Sequence, residues 1–168
     1  PPPSTRRTIR DGTSGCTSLE VTPRVIALDT NVLVAAFQPE AQRHAAADDV
    51  LRGLLEGGAP WGLPWSVAHE FLAVVTQPRI WVRPASTRRG LAALDNWSAA
   101  PGCRMLGERP GYRQRLGELL AGDDVRGSRI FDARIAATCL VHGVDELWSA
   151  DRDFSRFPAL RVRNPLLA

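Results

Sequence analysis

Val25-Ile26-Ala27-Leu28-Asp29-Thr30-Asn31-Val32-Leu33-Val34-Ala35-Ala36-Phe37 sets a short apolar run, an acid and a second apolar run end to end. Residues 25–28 are apolar and partly β-branched, the pattern of a strand buried on both faces. The run stops at Asp29. Residues 31–37 then read as a helix, closed by Pro39, which cannot continue it. Strand, acid and helix in this order form the opening half of a crossover between parallel strands.

The rest of the chain repeats this alternation. Residues 40–56 form a longer helix stopped by Gly57 and Gly58, and residues 61–65 a second strand made irregular by Pro64. Ser66 is the expected N-cap of a helix to Gln77, with Val67, Phe71, Val74 and Val75 at helical spacing. Further helices are predicted over residues 84–100, with Ser86 near the start, and over 112–120 and 130–141, the last ended by Gly143. Strands are predicted at Cys103–Leu106, 146–149 and 160–163. Short strands alternating with helices imply an α/β fold with a parallel sheet covered on both faces. No internal repeat or second domain is visible. Residues 1–23 differ, being rich in Pro, Ser, Thr, Gly and Arg without an apolar period, and are expected to be a flexible N-terminal tail ahead of a domain over 24–168.

Composition bounds the chemistry. A net charge of +3 at pH 7 looks basic, but residues 1–24 carry +2 of it and leave +1 for the remainder, so charge alone does not mark a nucleic-acid binder. All 21 basic residues are arginine. The absence of lysine excludes a P-loop and Schiff-base catalysis. The three cysteines, Cys16, Cys103 and Cys139, and the three histidines, His44, His69 and His142, have no disulfide or zinc spacing. Cys139, in an apolar helical stretch, is expected in the core. No apolar run reaches the roughly 18–20 residues of a membrane span, and no secretion signal is visible, so a cytoplasmic location without membrane attachment is expected.

Carboxylates carry the functional signal. In an open parallel sheet, ligands bind beyond the carboxyl ends of the strands. Asp29 ends the first strand there, and Asp151 and Asp153 follow the strand at 146–149. Glu70 and Asp132 sit within apolar helices, both expected near a helix start, where the macrodipole favours negative charge. Ionised carboxylates on a core-facing surface are costly unless paired or metal-bound.

Four segments together resemble the PIN-domain family. Leu28-Asp29-Thr30-Asn31-Val32-Leu33-Val34 is similar to the opening motif, Ala68-His69-Glu70-Phe71-Leu72 to the second, Phe131-Asp132-Ala133-Arg134-Ile135-Ala136-Ala137 to the third, and Ser149-Ala150-Asp151-Arg152-Asp153-Phe154 to the fourth, with Ser149 where Thr is common. Thr76-Gln77-Pro78-Arg79-Ile80-Trp81 and Asn96-Trp97 resemble the VapC-type toxins of bacterial toxin–antitoxin pairs. The resemblance covers nearly the whole of 24–168. It implies a three-layer α/β/α fold around a central parallel sheet of four to five short strands. It also implies a metal-dependent endoribonuclease, with Asp29, Glu70, Asp132 and Asp151 as catalytic ligands of Mg²⁺ or Mn²⁺, and Asp153 as the alternative to Asp151. Thr30, Asn31 and Ser149 are expected to support those ligands or position substrate, Arg79 and Arg83 to contact RNA, and Trp81 to stack on a base. The implied partners are a cognate small antitoxin, RNA and a second copy of the chain.

Asp29-Thr30-Asn31-Val32 faintly resembles the start of haloacid-dehalogenase phosphatases, but Asn31 replaces their second Asp and the phosphate-binding lysine is missing. The alternative is a catalytically inactive PIN-like module that holds a protein or RNA partner; the presence of all four acids favours the enzyme.

Overall fold

The computed structural model describes residues 24–121 and 125–167; the expected tail at 1–23, with Cys16, lies outside the described residues. Five strands form one wholly parallel sheet: β1 (Ile26–Leu28), β2 (Trp61–Pro64), β3 (Cys103–Leu106), β4 (Glu146–Trp148) and β5 (Val162–Arg163), in the order β3-β2-β1-β4-β5. Among the described residues six α-helices connect them: α1 (Thr30–Phe37), α2 (His44–Gly57), α3 (Trp65–Val75), α4 (Thr87–Ser98), α5 (Tyr112–Leu119) and α6 (Arg129–Val141), with a 3₁₀ turn at Arg152–Arg156.

This order explains the layers. From β1 through β2 to β3 the chain winds outward, and right-handed crossovers put α1 to α4 on one face. It then returns to the other side of β1, so α5 and α6 cover the opposite face. The winding reverses between β1 and β4, which pair with Ile26 opposite Glu146 and Leu28 opposite Trp148. The α/β fold with its central parallel sheet is as expected from sequence.

Burial on both faces accounts for the apolar strands: Ala27, Leu28, Leu63 and Leu147 have no exposed surface. On one face Phe37, Phe71 and Trp97 join α1, α3 and α4, with edge-on ring centroids 4.9–6.4 Å apart. On the other, Ala133, Ala136 and Ala137 are fully buried, and their small side chains bring α6 close to the sheet. Cys139 lies in this core as expected, and Cys103 and Cys139 are both free thiols.

Several boundaries move for physical reasons. The helix expected from residue 40 starts at His44, because residues 39–43 fold into turns held by Ala41 N–H to the Gln38 carbonyl and His44 N–H to the Ala41 carbonyl. Arg43 takes a left-handed backbone, φ 65°, and its guanidinium reaches the Leu166 carbonyl at 2.5 Å. Ser66 is not the cap of α3; Pro64 holds that position, so the Ser66 hydroxyl falls inside the first turn. Ser86 does cap α4, accepting from the Arg89 N–H at 3.2 Å. No helix of the described residues is long and apolar enough to cross a membrane.

Glycines test the packing. A methyl group on Gly102, at the entry to β3, would collide with the Ala59 carbonyl oxygen, whereas on Gly53, exposed in α2, it would meet nothing within 4 Å. Gly102→Ala is expected to lower the denaturant midpoint by about 1–3 kcal/mol equivalent. Gly53→Ala should raise it by about 1 kcal/mol through helix propensity. Chemical denaturation of the two variants checks both signs.

Candidate active site

Where the winding reverses, β1 and β4 end side by side, and the Asp29 N–H donates to the Trp148 carbonyl at 3.0 Å. Asp29 is the N-cap of α1, and its Oδ1 accepts from the Thr30 N–H at 2.8 Å. Its Oδ2 accepts from the Ser149 hydroxyl at 2.6 Å and from the Asn31 amide at 2.5 Å. The cap and both strand ends therefore hold one carboxylate, which is 4% exposed.

Ser149 uses its whole hydrogen-bonding capacity. Besides donating to Asp29, its hydroxyl accepts from Asn31 Nδ2 at 3.0 Å and from the Asp151 N–H at 2.9 Å. Asn31 closes the circuit by accepting the Ala150 N–H at 3.0 Å. Thr30 reaches the other way and donates its hydroxyl to Glu70 Oε2 at 2.7 Å. Three small polar side chains thus fix Asp29, Glu70 and the loop that carries Asp151. Thr30, Asn31 and Ser149, expected to support the ligands or position substrate, hydrogen-bond directly to Glu70 or Asp29.

A groove of about 380 Å³ opens here, lined by Asp29, Thr30, Asn31, Glu70, Asp132 and Asp151, with Val34, Ala35, Ala41, Gln42 and Val74 on its α1–α3 side. Asp132 sits in the first turn of α6 as expected. Glu70 does not share that setting: α3 starts at Trp65, so Glu70 falls in the second turn and is exposed. Asp153 stays outside the groove; its N–H caps back to Asp151 Oδ1 at 2.8 Å and its carboxylate lies 3.8 Å from Arg156 Nε.

The two predicted RNA contacts are not gathered with the acids. Arg79 is exposed in the turn after α3, and Arg83 pairs at 3.5 Å with Glu40; neither lines the groove. Trp81 is packed against the core, and its indole N–H donates to the Val74 carbonyl at 2.9 Å.

Charge is poorly compensated in the groove. Burial first, and then the Glu70 and Asp151 carboxylates, push Asp29 up to about 6, although the Ser149 and Thr30 hydrogen bonds pull the other way. Asp132 rises to about 6 through desolvation and then repulsion from Asp151, Asp153 and Glu70, only partly offset by Arg129. All four lining acids offer oxygen, the donor set of Mg²⁺ and Mn²⁺. Among the described residues no three acidic, histidine or cysteine side chains converge into a ready-made ligand cage. Carboxylates spaced around an open groove suit instead a hard cation that keeps several of its waters. Donor chemistry and unbalanced charge both fit such an ion.

A parallel α/β/α sandwich with carboxylates ringing its switch point is the layout of a PIN domain, and the PIN domain model matches residues 26–160. The chain belongs to the PIN-domain family. Among curated relatives it is 38% identical over 144 residues to a VapC ribonuclease of Mycobacterium bovis, a match spanning 84% of this chain and 96% of that one. Ribonuclease VapC48 of Mycobacterium tuberculosis is 30% identical over 137 residues, 82% and 94% of the two chains. Of solved structures, VapBC2 from Rickettsia felis, bound to a DNA fragment from their promoter, superposes with a TM-score of 0.60 at 16% identity, over 83% of this chain and 97% of that one. That last likeness concerns the fold. The family resemblance drawn from the four acidic segments is borne out.

The raised carboxylates predict an inverted pH dependence of stability. Asp29 and Asp132 bind protons more tightly folded, at about 6, than at the ordinary 3.8, so they favour the fold at low pH and this contribution is lost as pH rises from about 4 through 6. In chelator-treated protein, Asp132→Asn should therefore raise Tm at pH 7.5 and change it little at pH 4.5. Thermal melts at the two pH values measure the difference.

Proposed function

We propose that the chain is a divalent-metal-dependent endoribonuclease, the toxin of a toxin–antitoxin pair, which hydrolyses RNA phosphodiester bonds at the acid groove. The observation that carries this reading is the arrival of Asp29, Glu70, Asp132 and Asp151, from four separate segments, at one groove at the switch point of the sheet. Residues 24–168 are the nuclease domain. Its place of action is the cytoplasm.

In this reading Asp29, Glu70, Asp132 and Asp151 are the ligands of Mg²⁺ or Mn²⁺, and Asp153 steadies the turn capped by Asp151 by donating its N–H to the Asp151 carboxylate. One or two such ions, when bound, neutralise charge on the scissile phosphate and lower the pKa of an attacking water. The protein's own groups do the positioning. Asp29, held by three hydrogen bonds, presents a carboxylate that cannot rotate away. Thr30 holds Glu70 toward the groove, and Ser149 ties the Asp151 backbone to Asp29. Arg79 and Arg83, exposed beyond α3, are assigned to the phosphate backbone of RNA leaving the groove. A small antitoxin is the protein partner, and the chain acts as a homodimer.

Purified chain, freed of any bound antitoxin, should cut single-stranded RNA in Mg²⁺ or Mn²⁺ and not in EDTA. Asp29→Asn should abolish the activity. Ser149→Ala, which leaves all four acids in place, should lower it about 10–100-fold. Absence of cleavage across a broad RNA set, with no growth arrest on expression, would favour the non-catalytic binding module.

A further inference from the structure

Beside the acid groove, on the other side of Glu70, lies a second depression of about 350 Å³ between α3 and α6. Ser66, His69, Glu70 and Ala73 line it from α3, and Phe131, Arg134 and Ile135 from α6. Each helix contributes one ring to the lining, His69 from α3 and Phe131 from α6. Phe131 is 64% exposed in the first turn of α6, beside the exposed Ile130, and Trp65, 48% exposed, stands against the imidazole of His69 with ring centroids 5.9 Å apart and planes tilted by 34°. Arg134 closes the far end, 3.8 Å from Glu108. The Ser66 hydroxyl is buried at the slot and has no hydrogen-bond partner in the protein, an arrangement that calls for a ligand or a water to satisfy it.

Core packing does not explain these side chains, because Phe131, Trp65 and His69 are all exposed. The four acids do not call for them either, since a hard divalent cation is held by oxygen donors rather than by ring faces. The slot is continuous with the groove through Glu70, which lines both. A strand whose phosphate lies at the groove has its next base within reach of the slot. Every base offers a flat face for stacking and a polar edge for a hydroxyl.

We infer that the slot between His69 and Phe131 receives a nucleobase adjoining the cleaved bond, and that Ser66 meets that base's polar edge. This deepens the proposed function and rests on it for the direction of the strand. Ser66, His69 and Phe131 are then specificity-determining residues, which touch the substrate without touching the reacting atoms. Trp65 is a positioning residue that orients His69.

Cut sites mapped on random-sequence single-stranded RNA test the assignment. Wild type should show a base preference at the nucleotide adjoining the cut. Phe131→Ala should flatten that preference and raise KM about tenfold or more, with a smaller change in kcat. Ser66→Ala should alter which base is favoured and change stability little. Binding gives a readout free of catalysis: a fully abasic strand should bind about tenfold more weakly than an ordinary strand of equal length to Asp29→Asn, and equally well to Asp29→Asn with Phe131→Ala. An unchanged preference and an unchanged abasic penalty in the Phe131 variants would overturn the inference. So would a switch from dimer to monomer with preference intact, which would make the slot an interface between copies. Base-dependent binding that needs Phe131, in a wild type that cuts no RNA, would instead sustain the slot and defeat the nuclease reading.

Discussion

A carboxylate buried at the end of a strand is unfavourable by itself, and the architecture of the site follows from how Asp29 is accommodated. Desolvation of an ionised group costs several kcal/mol unless hydrogen bonds and positive charge replace the lost water. The chain supplies the hydrogen bonds: the first N–H of α1, the Asn31 amide and the Ser149 hydroxyl. Two of these come from the segment after β1 and one from the loop after β4, so satisfying Asp29 aligns the two strand ends at which the sheet changes direction. Burial outweighs these bonds, and Asp29 remains raised to about 6. A site satisfied in geometry and crowded with carboxylates fits the cation proposed for it.

The same residues explain how four acids from distant parts of the chain meet. Strand order puts β1 next to β4, and antiparallel placement of helices on strands puts the first turns of α3 and α6 at the same edge of the sheet. Thr30 then draws in Glu70 and Ser149 draws in the Asp151 loop, each with a bond shorter than 3.0 Å. Asp132 lacks such a tether among the bonds of this network, and its carboxylate is held up mainly by desolvation and by the acids opposite. Repulsion in the groove and rigidity beneath it are therefore separate properties. The first would be relieved by the proposed cation, and the second does not depend on one.

Much of this was legible in the sequence. An apolar strand ending in Asp29 and an apolar strand ending before Asp151 are local patterns, and parallel-sheet topology predicts that their ends face the same way. What escaped was set by contacts distant in sequence. The turns that delay α2 are anchored where Arg43 reaches Leu166, and the displacement of Ser66 from the cap follows from β2 running on through Pro64, which pairs with Leu106 of β3. Glu70 was expected near the helix start; once α3 begins at Trp65, it faces the groove from the second turn instead. Trp81 carried the right residue type for stacking, yet its ring is packed on the core while Phe131, indistinguishable from a core residue by helical period, stands open to solvent. Periodicity identifies which residues share a face; it does not tell which face has a neighbour.

The central claim is that the carboxylates assembled around Asp29 form a divalent-cation site. Manganese titration followed by electron paramagnetic resonance reads this directly in the folded chain, without RNA and without turnover. The account predicts one or two Mn²⁺ per chain, displaced by excess Mg²⁺ and lost or greatly weakened in Asp132→Asn, whose fold stays intact. Wild-type protein that is folded and leaves Mn²⁺ wholly free at millimolar concentration, or an Asp132→Asn variant that binds it unchanged, would contradict the account.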